Sequence, residues 1–222
     1  MDGNGRWATA RGLPRIAGHR EGVKSLKCIV RLSVDLKIKY ITAYAFSSEN
    51  WQRPAGEVTG LMNLFYDTLA YEMEDLNKNG VRIVLLGDRE NIPFKVLSRF
   101  EEAEKLTIHN DNLILNIAFN YGARQEILNA VKKICTLYIQ GFVKVEEINE
   151  SLFSDFLYTK GLPDPDFLIR TSGEFRLSNF LMWQTAYSEF YFTDTLWPDF
   201  REHDFLKAIH EFQKRNRRFG KI

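Results

Sequence analysis

The chain has 222 residues, 45% of them hydrophobic, which suits a single α/β domain with a substantial core. Its 30 basic and 29 acidic side chains nearly cancel, so no global field draws nucleic acid and any anion site must come from local clustering. Two well-separated cysteines, Cys28 and Cys135, share no ligand spacing with histidine, which argues against a disulfide framework or a zinc site and for a reduced, cytoplasmic protein.

No run of roughly 18 apolar residues occurs, so no transmembrane helix is expected. Met1 leads straight into a charged, glycine-rich stretch rather than a signal peptide. The opening twenty residues hold Asp2, a Gly-Asn-Gly turn, four arginines and His19, read as an anion-holding loop ahead of a helix. Val23, Leu26, Val30 and Val34 then recur at helical steps within 18–37. Tyr40 to Phe46 reads as a buried strand that ends in the polar run 47–54. Val58, Leu61, Met62, Phe65, Leu69, Met73 and Leu76 form one stripe of a long helix over 57–78, stopped by Gly80. A strand over 81–86, a helix over 93–107, a strand over 113–119 and a helix over 124–140 follow. Short helices are expected in 145–160, strands at 167–169 and 189–193, and a last helix at 204–216. Alternating strands and helices predict a single domain, 1–222, with a mostly parallel central sheet flanked by helices. In such a sheet the polar loops at 47–54, 120–124 and 170–178 should converge beyond the strand ends.

Four stretches carry the chemistry. In Asp2-Gly3-Asn4-Gly5-Arg6-Trp7, two glycines one residue apart let backbone N–H groups turn toward a phosphate. An acid there would repel the anion unless a cation lay between them, so Asp2 suggests Mg²⁺. An ordinary turn with a solvated acid would also account for it. Arg15 and His19 are four apart and share a face if a helix starts near Arg15. Ser47, Ser48, Glu49, Asn50, Trp51 and Arg53 crowd donors at a strand's carboxyl end. Arg170, Arg176, Leu177 and Ser178 form a second cluster suited to phosphate, with Glu189 downstream as either a metal ligand or half of a strand-end ion pair. The basic tail Arg215, Arg217 and Arg218 is read as a helix-dipole partner. Seventeen phenylalanines fit either a Phe-rich core or a large apolar ligand cavity. Two anion sites, one metal and much apolar surface suit a substrate with both a diphosphate and a hydrocarbon part.

Several long, ordered motifs resemble the cis-prenyltransferases: DGNGRWA at 2–8, GH at 18–19, YAFSSENWQRP at 44–54, LNIAFNYGAR at 115–124, IRTSGEFRLSNFLMWQ at 169–184 and AYSEFYFTDTLWPDF at 186–200. The resemblance implies a Mg²⁺-dependent transferase that adds isopentenyl diphosphate to farnesyl diphosphate in cis, producing a long polyprenyl diphosphate such as the undecaprenyl carrier of cell-wall synthesis. It implies that Asp2 serves metal and diphosphate. Gly3, Asn4, Gly5, Arg6, Arg15 and His19 would hold the allylic diphosphate, and Arg170, Arg176 and Ser178 the isopentenyl diphosphate, with Trp7 and Leu177 also among the substrate-binding residues. Glu189 would be a second metal ligand. Ser47, Ser48, Glu49, Trp51 and Arg53 would lie between the pockets, with Asn50 at the position of the proton acceptor. It further implies an apolar tunnel between the sheet and two helices, with Leu113 at its floor. A homodimer, transient membrane contact through the lipid product and no nucleic-acid partner are also implied. The family's strand ahead of the DGN loop has no counterpart in this sequence: either the start is misassigned or truncated, or the sheet lacks one strand, in which case Asp2 would sit at a frayed terminus. Rival readings are a non-catalytic binding subunit and a nucleotide-binding hydrolase, although the Walker lysine is missing.

Overall fold

The structure, a computed structural model, describes residues 1–216. In chain order the helices are α1 (Asn4–Thr9), α2 (Arg15–Asp35), α3 (Ala55–Lys78), α4 (Phe94–Leu106), α5 (Ala123–Ile139), α6 (Glu150–Ser154) and α7 (Glu202–Gln213). The strands are β1 (Tyr40–Ser47), β2 (Val81–Leu86), β3 (Leu113–Tyr121), β4 (Phe167–Arg170) and β5 (Glu189–Phe192). Ser48–Gln52 and Trp197–Asp199 are short 3₁₀ turns.

Every strand pairing is parallel, as the alternation of strand and helix requires. The strands fall into two sheets rather than one, ordered β1-β3-β2 and β4-β5. Central β3 is buried nearly throughout, while β1 is an edge. Along β3, Leu113, Leu115, Ile117 and Phe119 point to one face, where Val81, Ile83, Leu85, Ala43 and Phe46 join them against α3 and α4. The apolar stripe of α3 supplies Leu61, Met62, Leu69 and Met73 to this core. Rings pack at its centre: Phe65 stands edge-on to Phe119 at 4.7 Å, and Phe46 stacks on Phe119 at 5.3 Å. A second cluster, Ile29, Trp197, Phe200 and Phe205, fastens α2 and α7 to the 3₁₀ turn at 197–199.

On the opposite face of β3, a buried carboxylate ties the segment between α6 and β5 to the first sheet. Glu126 accepts from the Tyr121 hydroxyl at 2.5 Å, the Tyr158 amide at 2.8 Å and the Gln184 amide group at 3.2 Å. Three donors on one buried acid replace the water it lost.

The Gly-Asn-Gly stretch, read as a turn, is instead the start of α1. Gly3 sits at φ 104°, a left-handed conformation that side-chain-bearing residues resist, and α1 begins directly after it. Helix α2 crosses α1 closely at Gly18, where an added Cβ would lie 1.9 Å from the carbonyl oxygen of Asn4. That glycine lets the short helix bearing Arg6 lie against the long helix bearing Arg15 and His19.

Candidate active site

Asp2 is far from frayed. Its amide donates to the Thr171 hydroxyl at 2.9 Å, and that hydroxyl donates back to the Asp2 carbonyl at 2.8 Å. The Trp197 amide donates to the same carbonyl at 2.9 Å. The side chain is held as well: Oδ1 accepts from the Gly3 amide at 2.8 Å, and Oδ2 from Arg170 Nη2 at 3.1 Å. Burial alone would raise the Asp2 carboxyl. The hydrogen bonds from Arg170 and Gly3, with the charges of Arg170 and the Met1 amino group, outweigh it and hold the acid below the usual carboxylate range. Asp2 is therefore a fixed, ionised carboxylate at the mouth of a cavity.

Two arginine clusters flank it. On one side, Arg15 Nε lies 3.2 Å and Arg53 Nη1 3.0 Å from the two oxygens of Glu57. His19 faces the same group; its Nε2 is buried with no hydrogen-bond partner, and burial pushes the imidazole down to about 4. On the other side, Arg6 lies 3.1 Å from Glu174 Oε1, and Arg176 pairs with Glu174 Oε2. Arg170 Nη1 donates to Ser178 Oγ at 2.9 Å and to the Arg176 carbonyl. Each cluster is thus an Arg–Glu–Arg bridge, and each bridging acid is mostly buried.

The loops after β1, β3 and β4 converge as expected. Asn179 Nδ2 donates to Glu49 Oε1 at 2.7 Å, the Ala123 amide donates to the Asn179 carbonyl at 2.9 Å, and Trp51 Nε1 donates to Asn120 Oδ1 at 2.7 Å.

Both clusters open on one cavity of about 930 Å³. Val23 and Leu26 of α2 line it, with Leu61, Leu64, Phe65 and Leu69 of α3. All of β1 and all of β4 also touch it. Since strand side chains alternate between faces, this contact along whole strands means that the free edges of the two sheets face the same space. The two readings of the phenylalanines overlap: Phe46 and Phe100 are buried in the core and also line the cavity, as does Phe65 packed against them, while Phe119 belongs to the core without lining the cavity.

Among the sequence-derived site residues, Asp2, Gly3, Asn4, Gly5, Arg6, Arg15, His19, Ser47, Asn50, Arg53, Arg170, Arg176, Leu177 and Ser178 line this cavity. Trp7, Ser48, Glu49, Trp51 and Glu189 do not. Trp7 instead donates to Asp199 Oδ1 at 2.7 Å, and Trp51 packs on Phe46 with ring centroids 4.9 Å apart. Asn50 Oδ1 accepts from the Ser47 amide at 3.2 Å. Glu57, Glu174, Asn179 and Thr171 are equally part of the site's framework, although none was marked as a site residue from the sequence.

A prenyltransferase family model, described as "Putative undecaprenyl diphosphate synthase", matches residues 1–220. This chain belongs to that family.

Its relatives include a "Ditrans,polycis-undecaprenyl-diphosphate synthase ((2E,6E)-farnesyl-diphosphate specific)" of Legionella pneumophila, 50% identical over all of this chain and 93% of that protein. An isoprenyl transferase of Bacillus subtilis is 52% identical over all of this chain and 85% of that protein. Among solved structures, lavandulyl diphosphate synthase from Lavandula x intermedia, in complex with dimethylallyl diphosphate, superposes with a TM-score of 0.96 at 35% identity, covering all of this chain and 95% of the other. A probable undecaprenyl diphosphate synthase from Campylobacter jejuni gives 0.80, also at 35% identity, over 90% of this chain and 92% of the other.

Of the two carboxylates that the resemblance assigns to a metal, Asp2 lines the cavity and Glu189 does not. Glu189 opens β5 opposite Phe167, whereas Arg170, the partner of Asp2, pairs with Phe192 at the other end of those strands. Three residues of strand separate the ends, roughly 10 Å. Glu189 is bound instead to Arg215, with Nη1 at 2.7 Å from Oε2, the strand-end ion pair that was its alternative. Among the described residues no group of three or more His, Cys, Asp or Glu side chains is close enough to hold a metal. Asp2, ionised and 39% exposed, still suits Mg²⁺, which takes one or two carboxylates and completes its shell with water and phosphate oxygens. Arg217 and Arg218 of the basic tail lie outside the described residues.

Proposed function

We propose that this chain condenses isopentenyl diphosphate with farnesyl diphosphate in cis, repeatedly, to give a long polyprenyl diphosphate of the undecaprenyl type used as a cell-wall carrier. The observation that carries this is the pairing of two arginine clusters on either side of Asp2, both opening on one largely apolar cavity. The names of the relatives agree with it.

Arg15, Arg53 and His19 hold the farnesyl diphosphate group, with Gly3, Asn4 and Gly5 beside it, while Arg6, 3.8 Å from Asp2 and paired with Glu174, reaches it from across Asp2. Its hydrocarbon extends along Leu26, Leu61, Leu64, Phe65 and Leu69. Arg170, Arg176 and Ser178 hold isopentenyl diphosphate. Asp2 would hold Mg²⁺ against a diphosphate; when bound, the ion supplies charge neutralisation for the leaving group. Arginines aimed at that same charge lower the barrier to breaking the allylic C–O bond. The isopentenyl double bond forms the new C–C bond, the diphosphate leaves with the electron pair, and one proton is lost from the isopentenyl unit. The Asn50 amide is too weak a base to take that proton, and its Oδ1 is already engaged by the Ser47 amide. Asn50 instead orients a diphosphate oxygen or a water that accepts it.

We further propose a cytoplasmic homodimer that meets the membrane through its lipid product. The apolar, exposed face of α5 and the turn after it, with Leu128, Val131, Tyr138, Ile139 and Phe142, supports an interface. No helix among the described residues is long and apolar enough to cross a membrane. Nothing in the site favours a non-catalytic subunit or a nucleotide hydrolase. Incubation with farnesyl diphosphate, labelled isopentenyl diphosphate and Mg²⁺, with products resolved by length, is expected to give a ladder ending in long polyprenyl diphosphates. ATP or GTP turnover without condensation would overturn the proposal.

A further inference from the structure

Asn179 touches neither arginine bridge, yet three loops of the site meet on it. Its Nδ2 donates to Glu49 Oε1 at 2.7 Å, in the turn after β1. Its Oδ1 accepts from the Arg124 amide at 2.8 Å, and its carbonyl from the Ala123 amide at 2.9 Å, both at the start of α5. Its own backbone continues from Ser178, whose hydroxyl receives Arg170 at 2.9 Å.

The fit of residue to place is close. Asn179 has φ 62°, between Ser178 at 50° and, two residues on, Leu181 at 44°. Asparagine adopts this left-handed conformation more readily than most side-chain-bearing residues. Its amide presents a donor at one end and an acceptor at the other, matching a carboxylate on one side and a backbone N–H on the other. Gly122 leaves room for it: an added Cβ there would meet Asn179 Nδ2 at 2.7 Å and Ser48 Oγ at 2.5 Å. Burial would raise the Glu49 carboxyl, but the hydrogen bond from Asn179, with the Glu49 amide and the Ser47 and Ser48 hydroxyls, holds it below the usual range. The acceptor is therefore a carboxylate, and the bond is charge-assisted.

We propose that Asn179 is a positioning residue that sets the separation of the two diphosphate pockets, by tying Glu49 and the start of α5 to the loop that carries Arg170 and Ser178. This rests on the condensation proposed above. Each pocket keeps its own arginines when the tie is cut, so both substrates still bind. What is lost is the alignment of the isopentenyl double bond with the allylic carbon.

Steady-state kinetics on the wild type and four variants tests this. Asn179→Gly keeps the left-handed backbone and removes both side-chain bonds. Asn179→Asp keeps the acceptor for the Arg124 amide but turns a carboxylate against Glu49. Adding Glu49→Gln to Asn179→Asp restores a donor–acceptor pair with the wild-type net charge, and Glu49→Gln alone is its reference. In each single Asn179 variant kcat should fall about tenfold or more while neither KM moves beyond about threefold. The double variant should recover to within about threefold of Glu49→Gln alone. An unchanged kcat in Asn179→Gly overturns the proposal. So does a double variant no better than Asn179→Asp, or a loss that merely follows a fall in Tm. A wild-type chain that forms no product would instead sink the condensation itself, and the role of Asn179 with it.

Discussion

His19 sits in the cavity wall between Arg15 and Arg53, and its imidazole is pushed down to about 4. Burial is the main cause; the Arg53 and Arg15 charges add to it, and Glu57 opposes them. In the unfolded chain a histidine titrates near 6.5. Between the two values the unfolded chain takes up a proton that the folded one refuses. Stability contributed by this residue therefore rises with pH through that window and is lost as pH falls. Taking those limits, going from pH 7 to pH 5 removes about 2 kcal/mol of stability. Replacing His19 by glutamine leaves a polar side chain that does not titrate. Urea unfolding at the two pH values should show the wild type losing about 2 kcal/mol more than His19→Gln. The same reasoning reaches binding. A diphosphate beside the ring favours imidazolium, so calorimetry near pH 6 in buffers of different ionisation heat should show proton uptake on farnesyl diphosphate binding, and less in the variant. Identical pH dependence of unfolding in both proteins would refute the burial of a neutral ring. Identical proton uptake would remove His19 from contact with the anion.

Asp2→Asn keeps the size of the side chain and its place beside Thr171, but cancels the charge; turnover should fall about a thousandfold or more with little change in Tm. Steady-state assay and thermal unfolding check this, and activity within tenfold of wild type would disprove the link between Asp2 and the metal. Leu113→Ala opens a fully buried position at the start of β3, on the face that shares its packing with the cavity-lining Leu61, Leu69 and Phe46. It should cost about 2–5 kcal/mol of stability and lengthen the products seen on thin-layer separation. A stability loss with unchanged product lengths would make Leu113 core and nothing more.

Elements with strong apolar periodicity were legible in the sequence. The strand at 81–86 has the expected bounds, and the long helix starts two residues before the expected 57 and ends as expected at Lys78. Helix α1 was not legible, because six residues of mixed polarity carry no periodic signal and Gly3 looks like part of a turn. The split into two sheets was hidden for a different reason: strand order depends on contacts between segments far apart, which no local pattern records. Local clusters did mark Arg170, Arg176 and Ser178, but their assignment to a diphosphate came from family resemblance. The hydroxyl that clasps Asp2 belongs to Thr171, 169 residues away, so spacing could not reveal it. In the sequence Glu57 stands out only as the start of the long helix, although it lies four residues beyond Arg53, an interval that helical geometry can bring together. Glu189 was open to two readings in the sequence, metal ligand or strand-end ion pair, and only the fold brings Arg215 to it.

The two Arg–Glu–Arg bridges have a consequence for how the enzyme cycles. Glu57 and Glu174 already satisfy the cations that an incoming diphosphate would seek. Binding there is an exchange of one anion for another rather than the filling of a bare positive site. Much of the attraction is offset by the carboxylate that must yield, and that carboxylate is ready to return when the diphosphate departs. A catalyst that lengthens a chain step by step must release a diphosphate at every addition, and arginines with a resident substitute let go more readily than arginines left bare.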